Sequence, residues 1–371
     1  PQEDYWPIPY FSDQMVVIGP YLNIENSGKT NNINHFIKKK ILVKSGAIDL
    51  KPILEKVSEI FEPDILICWF DPNGYFLKNI NCFKGPKVML DGDCHHLHRA
   101  IEKHVHYSLK EKFDYIICGD RRMVNIFENI NSKKNFWLPG FKSQTKLLRP
   151  IQNPKSSIAH VGQNSKLHIK RNQYLKILYK TSLPIKQIIV PKKEVFEIYN
   201  QNTLSLNISL NGDMNDRWFQ VPGAGGVLIS NKLTENTGYN RIYSDDEIPT
   251  FSSPKEAISI MKKLLTDREL RYKIASKAHY KYINTIRRSR ILEEFWKLIN
   301  LNIIDPLFNP QYFEGSKKIR LIDHNLNWDN LIIYQTILEC VRISSNVRVH
   351  IVGWKKNSLT YLNDLKDIKV E

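Results

Sequence analysis

Over the first 140 residues, short apolar runs alternate with stretches whose apolar residues fall at helical spacing. "QMVVIGP" (14–20) predicts a strand, and the continuous run "DILICWF" (64–70) predicts one buried on both faces of a parallel sheet. Between them "IDLKPILEKVSEIF" (48–61) sets its apolar side chains along one helical face. "PKVMLDGD" (86–93) predicts the next strand. A helix over 94–110, strand "FDYIICGD" (113–120), helix "RRMVNIFENI" (121–130) and strand "NFWLPGF" (135–141) follow. This alternation predicts a parallel sheet with helices on both faces, a Rossmann-like domain.

Residues 141–157 lack apolar periodicity and carry two prolines, as a linker does. A second series then starts: strand "SIAHVGQ" (157–163), helix "KRNQYLKILYKT", strand "IKQIIVP", helix "KKEVFEIYNQ", strand "LSLNISL", a helix around "NDRWFQVPGA" and strand "GGVLISN" (225–231). A strongly helical stretch, 252–299, opens on a Ser-Pro cap. The fold class expected is therefore α/β, with two tandem Rossmann-like domains over 1–150 and 151–300. Residues 301–371, with strands "IRLIDH" and "VRVHIVGW" around helix "LIIYQTILECV", read as an α/β extension or the start of a further module.

Composition narrows the chemistry. No run reaches the roughly eighteen apolar residues of a membrane helix, and "PQEDYWPIPY" lacks the marks of a signal peptide, so a soluble, cytoplasmic protein is expected. The five cysteines, Cys68, Cys82, Cys94, Cys118 and Cys340, never form a C-x-x-C pair and suggest neither a disulfide framework nor a cysteine zinc site. A net charge of +16 implies anionic partners: nucleic acid, anionic lipid or a phosphorylated small molecule. The basic residues are dispersed and no nucleic-acid motif accompanies them, so no dedicated nucleic-acid binding is expected. Peripheral membrane association stays open.

Four stretches carry candidate chemistry. "GPYLNIENSGKT" (19–30) mimics a phosphate-binding loop, but Asn23 stands where that pattern requires glycine, and a surface loop is the better reading. "DGDCHHLHRA" (91–100) offers Asp91 and Asp93 as hard oxygen ligands for a divalent metal. A zinc site there is incomplete, since helical spacing pairs His98 with Glu102 and His95 with Arg99. The loops after "AHVGQ" and "SLNISLNGD" lie at the carboxyl ends of parallel strands, where open α/β sheets bind ligands. "NGDMNDRWFQVPGAGG" adds Arg217 and Gln220 at a helix start and glycines Gly223, Gly225 and Gly226, whose amides would approach a pyrophosphate.

In order and spacing these pieces resemble the GT-B glycosyltransferases of the spore maturation protein CgeB-like family. The likeness rests on "DGDCHH", "FDYIICGD", "FWLPGF", "HVGQ", Arg171, "SLNIS", "DRWFQVPGAGGVLIS" and "YSDDEI", and covers roughly residues 60–295. Two positions depart from that family: Gln220 replaces its glutamate, and "NTI" (284–286) its "HTY".

The resemblance implies transfer of a sugar from a nucleotide-sugar to a glycan, surface polysaccharide or glycoprotein acceptor, in a cleft between the two domains. No metal or other cofactor is expected, the nucleotide-sugar being a co-substrate. Donor-binding residues would be Gly162, Gln163, Asn164, Arg171, Asn207, Arg217, Phe219, Gln220, Gly223, Gly225 and Gly226. Asp93, His95 and His96 would supply the catalytic base. The alternatives are a metal-dependent transferase of the GT-A type using Asp91 and Asp93, and a catalytically silent nucleotide- or sugar-binding module.

Overall fold

The computed structural model describes residues 14–19, 37–44, 46–70, 75–91, 100–130, 134–162, 169–210, 212–308, 318–322, 348–352 and 368–370. Pro139–Leu307 belong to one compact unit, and the described residues before and after them to a second. Every pairing between described strands is parallel.

Before Pro139 the elements are β1 (Met15–Gly19), β2 (Ile37–Leu42), β3 (Gly46–Asp49), α1 (Lys51–Ser58), β4 (Leu66–Phe70), β5 (Tyr75–Lys78), β6 (Lys87–Asp91), α2 (Ala100–Lys110), β7 (Tyr115–Cys118), α3 (Arg121–Ile130) and β8 (Lys134–Trp137). A four-stranded sheet runs β4-β6-β7-β8, while β1 pairs with β2 and β3 with β5. Val88, Met89, Leu90, Ile116 and Ile117 are buried in the four-stranded sheet, as the continuous apolar runs require. Met123, Val124 and Phe127 of α3 are buried as well, at the i, i+1, i+4 positions that form one helical stripe.

From Pro139 to Leu307 the elements are β9 (Lys155–Val161), α4 (Ile169–Leu178), β10 (Ile185–Ile188), α5 (Val195–Gln201), β11 (Asn202–Asn207), α6 (Arg217–Gly223), β12 (Leu228–Asn231), α7 (Tyr239–Ile242), β13 (Thr250–Phe251), α8 (Pro254–Thr266), α9 (Arg268–Lys281), a π-helical turn (Tyr282–Ile286) and α10 (Arg288–Leu301). The sheet order is β10-β9-β11-β12-β13. The chain therefore steps from β9 to one edge, then returns past β9 and builds outward in the other direction. That reversal puts a topological switch point between β9 and β11, the place where open α/β sheets hold ligands.

One face of this sheet packs Ile158, Leu204, Leu206, Ile208 and Ile229 against Leu175 and Leu178 of α4 and Ala257, Met261 and Leu264 of α8. Local signals set the helix ends. Ser253 Oγ accepts from the Glu256 amide at 3.2 Å while Glu256 Oε2 accepts from the Ser252 amide at 2.7 Å, a reciprocal cap that starts α8 just before Pro254. Asp267 caps α9 by accepting from the Leu270 amide at 2.9 Å. Asn302, with φ of 56°, ends α10.

Beyond Leu307, β14 (Lys318–Ile322), β15 (Arg348–Val352) and β16 (Ile368–Val370) make a three-stranded sheet.

Candidate functional site

Two arginines meet at the switch point. The β9–β11 register sets Ser205 opposite Ala159, so Val161 and Asn207 end their strands side by side. Arg171, in the first turn of α4, donates from Nε and Nη2 to the carbonyl of Ile208 at 2.9 and 2.8 Å. Arg217, the first residue of α6, donates from Nε to the Val161 carbonyl at 3.0 Å, and its Nη2 reaches the same oxygen. Its Nη1 donates to Asn207 Oδ1 at 3.2 Å.

The strand ends are built to hold these groups. Asn207 Nδ2 donates to Ser230 Oγ at 2.9 Å, which turns Oδ1 toward Arg217 and toward Asn215 Nδ2, also at 2.9 Å. Asn215 Oδ1 in turn accepts from the Arg217 amide at 3.2 Å. The loop after β11 is pinned by the Ser209 amide donating to Asn231 Oδ1 at 2.6 Å and by Ser209 Oγ donating to Asp213 Oδ1 at 2.8 Å. Gly162 has φ of +136°, and a Cβ there would stand 2.5 Å from Arg217 Nη2. Only glycine lets the guanidinium lie against this strand end.

Charge at this point is unbalanced. Both guanidiniums meet carbonyl or amide oxygens in these bonds, and among the described residues neither forms an ion pair with a carboxylate. Burial, and then Arg217, lower the pKa of Arg171 to about 10, opposed by Asp213. His160, fully buried on β9, is lowered to about 3 by burial and then by Arg217 and Arg171, and is neutral at physiological pH. Its Nδ1 lies 3.3 Å from the Tyr179 hydroxyl, while Nε2 meets no hydrogen-bond partner among the described residues. Clustered arginine donors at strand ends, with a neutral histidine beside them, are suited to an anion with several oxygens.

Of the residues the sequence singles out, Gly162, Arg171, Asn207 and Arg217 come together here. Phe219 and Gln220 are buried further along α6, and the Phe219 ring lies against Gly140, whose Cβ position is 2.7 Å from it.

The glycine run corrects the expectation of an amide cradle. Gly223 is the last residue of α6, and Gly225 and Gly226 precede β12, at the amino end of the sheet. The Gly225 amide donates to Pro222 O at 3.0 Å and the Gly226 amide to Val221 O at 2.9 Å. A Cβ on Gly226 would stand 2.3 Å from Tyr199 O, one on Gly225 2.7 Å from Leu148 O, and one on Gly223 2.2 Å from Thr145 Cγ2. These glycines permit close packing of a turn, and their amides are satisfied within it.

Gln163, Asn164, Asp93, His95 and His96 lie outside the described residues. Asp91, which ends β6, is fully buried, and its Oδ1 sits 3.0 Å from His104 Nε2 on α2. Both of its carboxylate oxygens are closed to solvent. Nearby, the Arg122 guanidinium and amide hold Asp120 after β7.

Sequence reasoning missed His160, Ser209, Asp213, Asn215 and Asn231. The signal available for the asparagines was their place at or just beyond apolar strand runs, where a side-chain amide ties neighbouring strand ends.

Residues 155–295 match the family model described as glycosyl transferase-like. The switch-point arginines, Arg171 and Arg217, lie within that matched segment. Comparison with curated proteins found no match. Among solved structures the chain is similar to TarM, with 12% identity and a TM-score of 0.47 over 67% of this chain and 57% of that one. HepE of Anabaena, solved with UDP and glucose, gives 10% identity and a TM-score of 0.47 over 67% of this chain and 82% of that one. The pneumococcal O-GlcNAc transferase GtfA, solved with UDP and GlcNAc, gives 14% and 0.41 over 67% of this chain and 59% of that one. The match thus spans little more than half the length of TarM and of GtfA.

Proposed function

We propose that this chain, with a glycosyl transferase-like domain over 155–295, is a GT-B glycosyltransferase whose switch point holds the diphosphate of a nucleotide-sugar. The observation that carries this reading is the meeting of Arg171 and Arg217 at the carboxyl ends of β9 and β11, each bonded to oxygens that do not cancel its charge. Breaking a glycosyl–phosphate bond leaves negative charge on the departing diphosphate. Guanidiniums already fixed by the strand ends stabilise that charge without reorganising. Arg171 uses two of its five N–H donors on Ile208 O, so further donors serve an oxygen-rich ligand.

An acceptor hydroxyl of a glycan, surface polysaccharide or glycoprotein must lose a proton as it attacks. The residues proposed for that step are Asp93, His95 and His96, which follow β6 in the chain. The reaction is proposed to run without a divalent metal. In support, the Asp91 carboxylate that a metal-dependent transferase would need is shut inside the protein beside His104. Buried Gln220 is neutral where the resembling family has a carboxylate, so the ribose contact there would be a hydrogen bond to an amide.

The test is to incubate the protein with a panel of nucleotide-sugars and measure released nucleoside diphosphate, with and without EDTA. Release that persists in EDTA and collapses in Arg217→Ala supports the proposal. Release abolished by EDTA would favour the metal-dependent alternative. Tight nucleotide binding with no release from any donor would favour the silent module.

A further inference from the structure

The flank of the Pro139–Leu307 unit has a charge pattern that the proposed reaction does not use. Residues 139–193 contain twelve lysines and arginines, of which only Arg171 belongs to the proposed site, and no aspartate or glutamate. Within this stretch lie β9, α4 and β10, and β10 is the outermost strand of the sheet. On α4 the exposed residues Gln173, Lys176 and Ile177 fall at i, i+3 and i+4 on one helical face, and Lys180, also exposed, lies in the turn just after the helix. Lys186 on β10 and Lys193 after it are also exposed, and none of these four lysines is paired with a carboxylate among the described residues.

Two isoleucines sit among them. Ile177 is 49% exposed and Ile189 67% exposed. Single exposed apolar residues need no explanation, but these two lie on the same edge as four uncompensated lysines.

We infer that this edge docks on an anionic lipid bilayer, the lysines meeting headgroup phosphates and Ile177 and Ile189 entering the acyl boundary. Basic residues interleaved with aliphatic ones are the composition of interfacial surfaces, since attraction and insertion then act together. A soluble polyanion would leave the isoleucines without a role. Addition of a strand from another chain is opposed by the edge itself: β10 has four residues, carries Lys186 and is bracketed by Pro184 and Pro191. The inference concerns a surface apart from the arginine pair and stands or falls separately from the proposed reaction.

The experiment is co-sedimentation with vesicles of phosphatidylcholine mixed with phosphatidylglycerol, against vesicles of phosphatidylcholine alone. The protein is expected to bind the anionic vesicles and to be released by high salt, which shortens the Debye length to about 3 Å at 1 M. Each lysine near such a surface is worth about 1 kcal/mol, or about fivefold, so Lys176→Gln/Lys180→Gln/Lys186→Gln should weaken binding by roughly a hundredfold. The corresponding Lys→Arg variant should bind as the parent does, which excludes misfolding as the cause. Ile177→Ser/Ile189→Ser should weaken binding and leave its salt dependence intact.

Equal binding to both kinds of vesicle, or none to either, overturns the inference. So does undiminished binding by the triple-lysine variant. Competition by soluble polyphosphate, with the isoleucine variant behaving as the parent, would overturn it in favour of a polyanion. A dimer in light scattering that Ile189→Ser dissociates would overturn it in favour of a second copy.

Discussion

Gly162 decides whether Arg217 can lie across the end of β9. Its φ of +136° and the 2.5 Å that would separate an added Cβ from Arg217 Nη2 make alanine there both strained and obstructive. Gly162→Ala is expected to cost about 1–3 kcal/mol of stability in urea unfolding and to weaken nucleoside diphosphate binding at a temperature where the variant is folded. Unchanged affinity would mean that the guanidinium position is irrelevant to the ligand. His160 makes a second prediction at this scale. Its pKa in the folded protein, about 3, lies below its ordinary 6.5, so neither state binds the proton above pH 6.5. Between pH 6.5 and 3 the unfolded chain takes up a proton that the folded chain refuses, and stability falls by about 1.4 kcal/mol per pH unit from this group. His160→Gln should therefore show a flatter dependence of unfolding free energy on pH than the parent across that window. Parallel curves would refute it. Gly162 was legible in the sequence because a glycine just after an apolar strand run interrupts the pattern, Arg217 because it opens a helix ahead of a glycine run, and Arg171 only through the family resemblance. His160 was not, because a histidine inside such a run looks like any other core position.

At the scale of elements, the turn from α6 into β12 illustrates how one pattern supports two readings. "VPGAGG" has the composition of a phosphate cradle and of a close-packed turn, and the difference lies in which end of the sheet it occupies. Gly225 and Gly226 come before β12, so they sit at the amino end, against Tyr199 O and Leu148 O. Gly226→Ala would press a methyl group against backbone, which cannot move aside as a flexible side chain can. A loss of about 1–3 kcal/mol in chemical denaturation is expected, with nucleoside diphosphate affinity unchanged below the transition. A fall in affinity without a fall in stability would restore the cradle reading. Strands β4, β6 and β7 were legible as nearly continuous apolar runs, and β11, "NTLSLN", lies in a stretch that alternates apolar and polar residues. Strand β2, "IKKKIL", was hidden by its lysines, and β3, "GAID", by its overlap with the stretch from Ile48 that has helical spacing. The two-residue β13 left no periodicity to read.

For the whole molecule, the parallel α/β character was readable from the alternation of strands and helices, and the glycosyl transferase-like character of 155–295 from the order of its motifs. Charge was legible in amount and not in placement: the sequence carries +16, whereas the structure separates an arginine pair at a strand switch from exposed lysines near the β10 edge. Only the first is proposed to meet the donor, and its bonds are short-range and partly buried. Their contribution should therefore survive moderate salt better than attraction to the exposed lysines.

The most direct measurement of the central claim is a thermal unfolding titration with a nucleoside diphosphate, run in parallel on the parent protein and on Arg217→Ala. At a hundredfold excess over its dissociation constant the ligand should stabilise the parent by about 2.7 kcal/mol. Loss of charge-assisted hydrogen bonds worth about 1.5–3 kcal/mol should largely erase that shift in the variant. No shift in the parent with any nucleoside diphosphate, or an equal shift in both proteins, would contradict a diphosphate site at the meeting of β9 and β11.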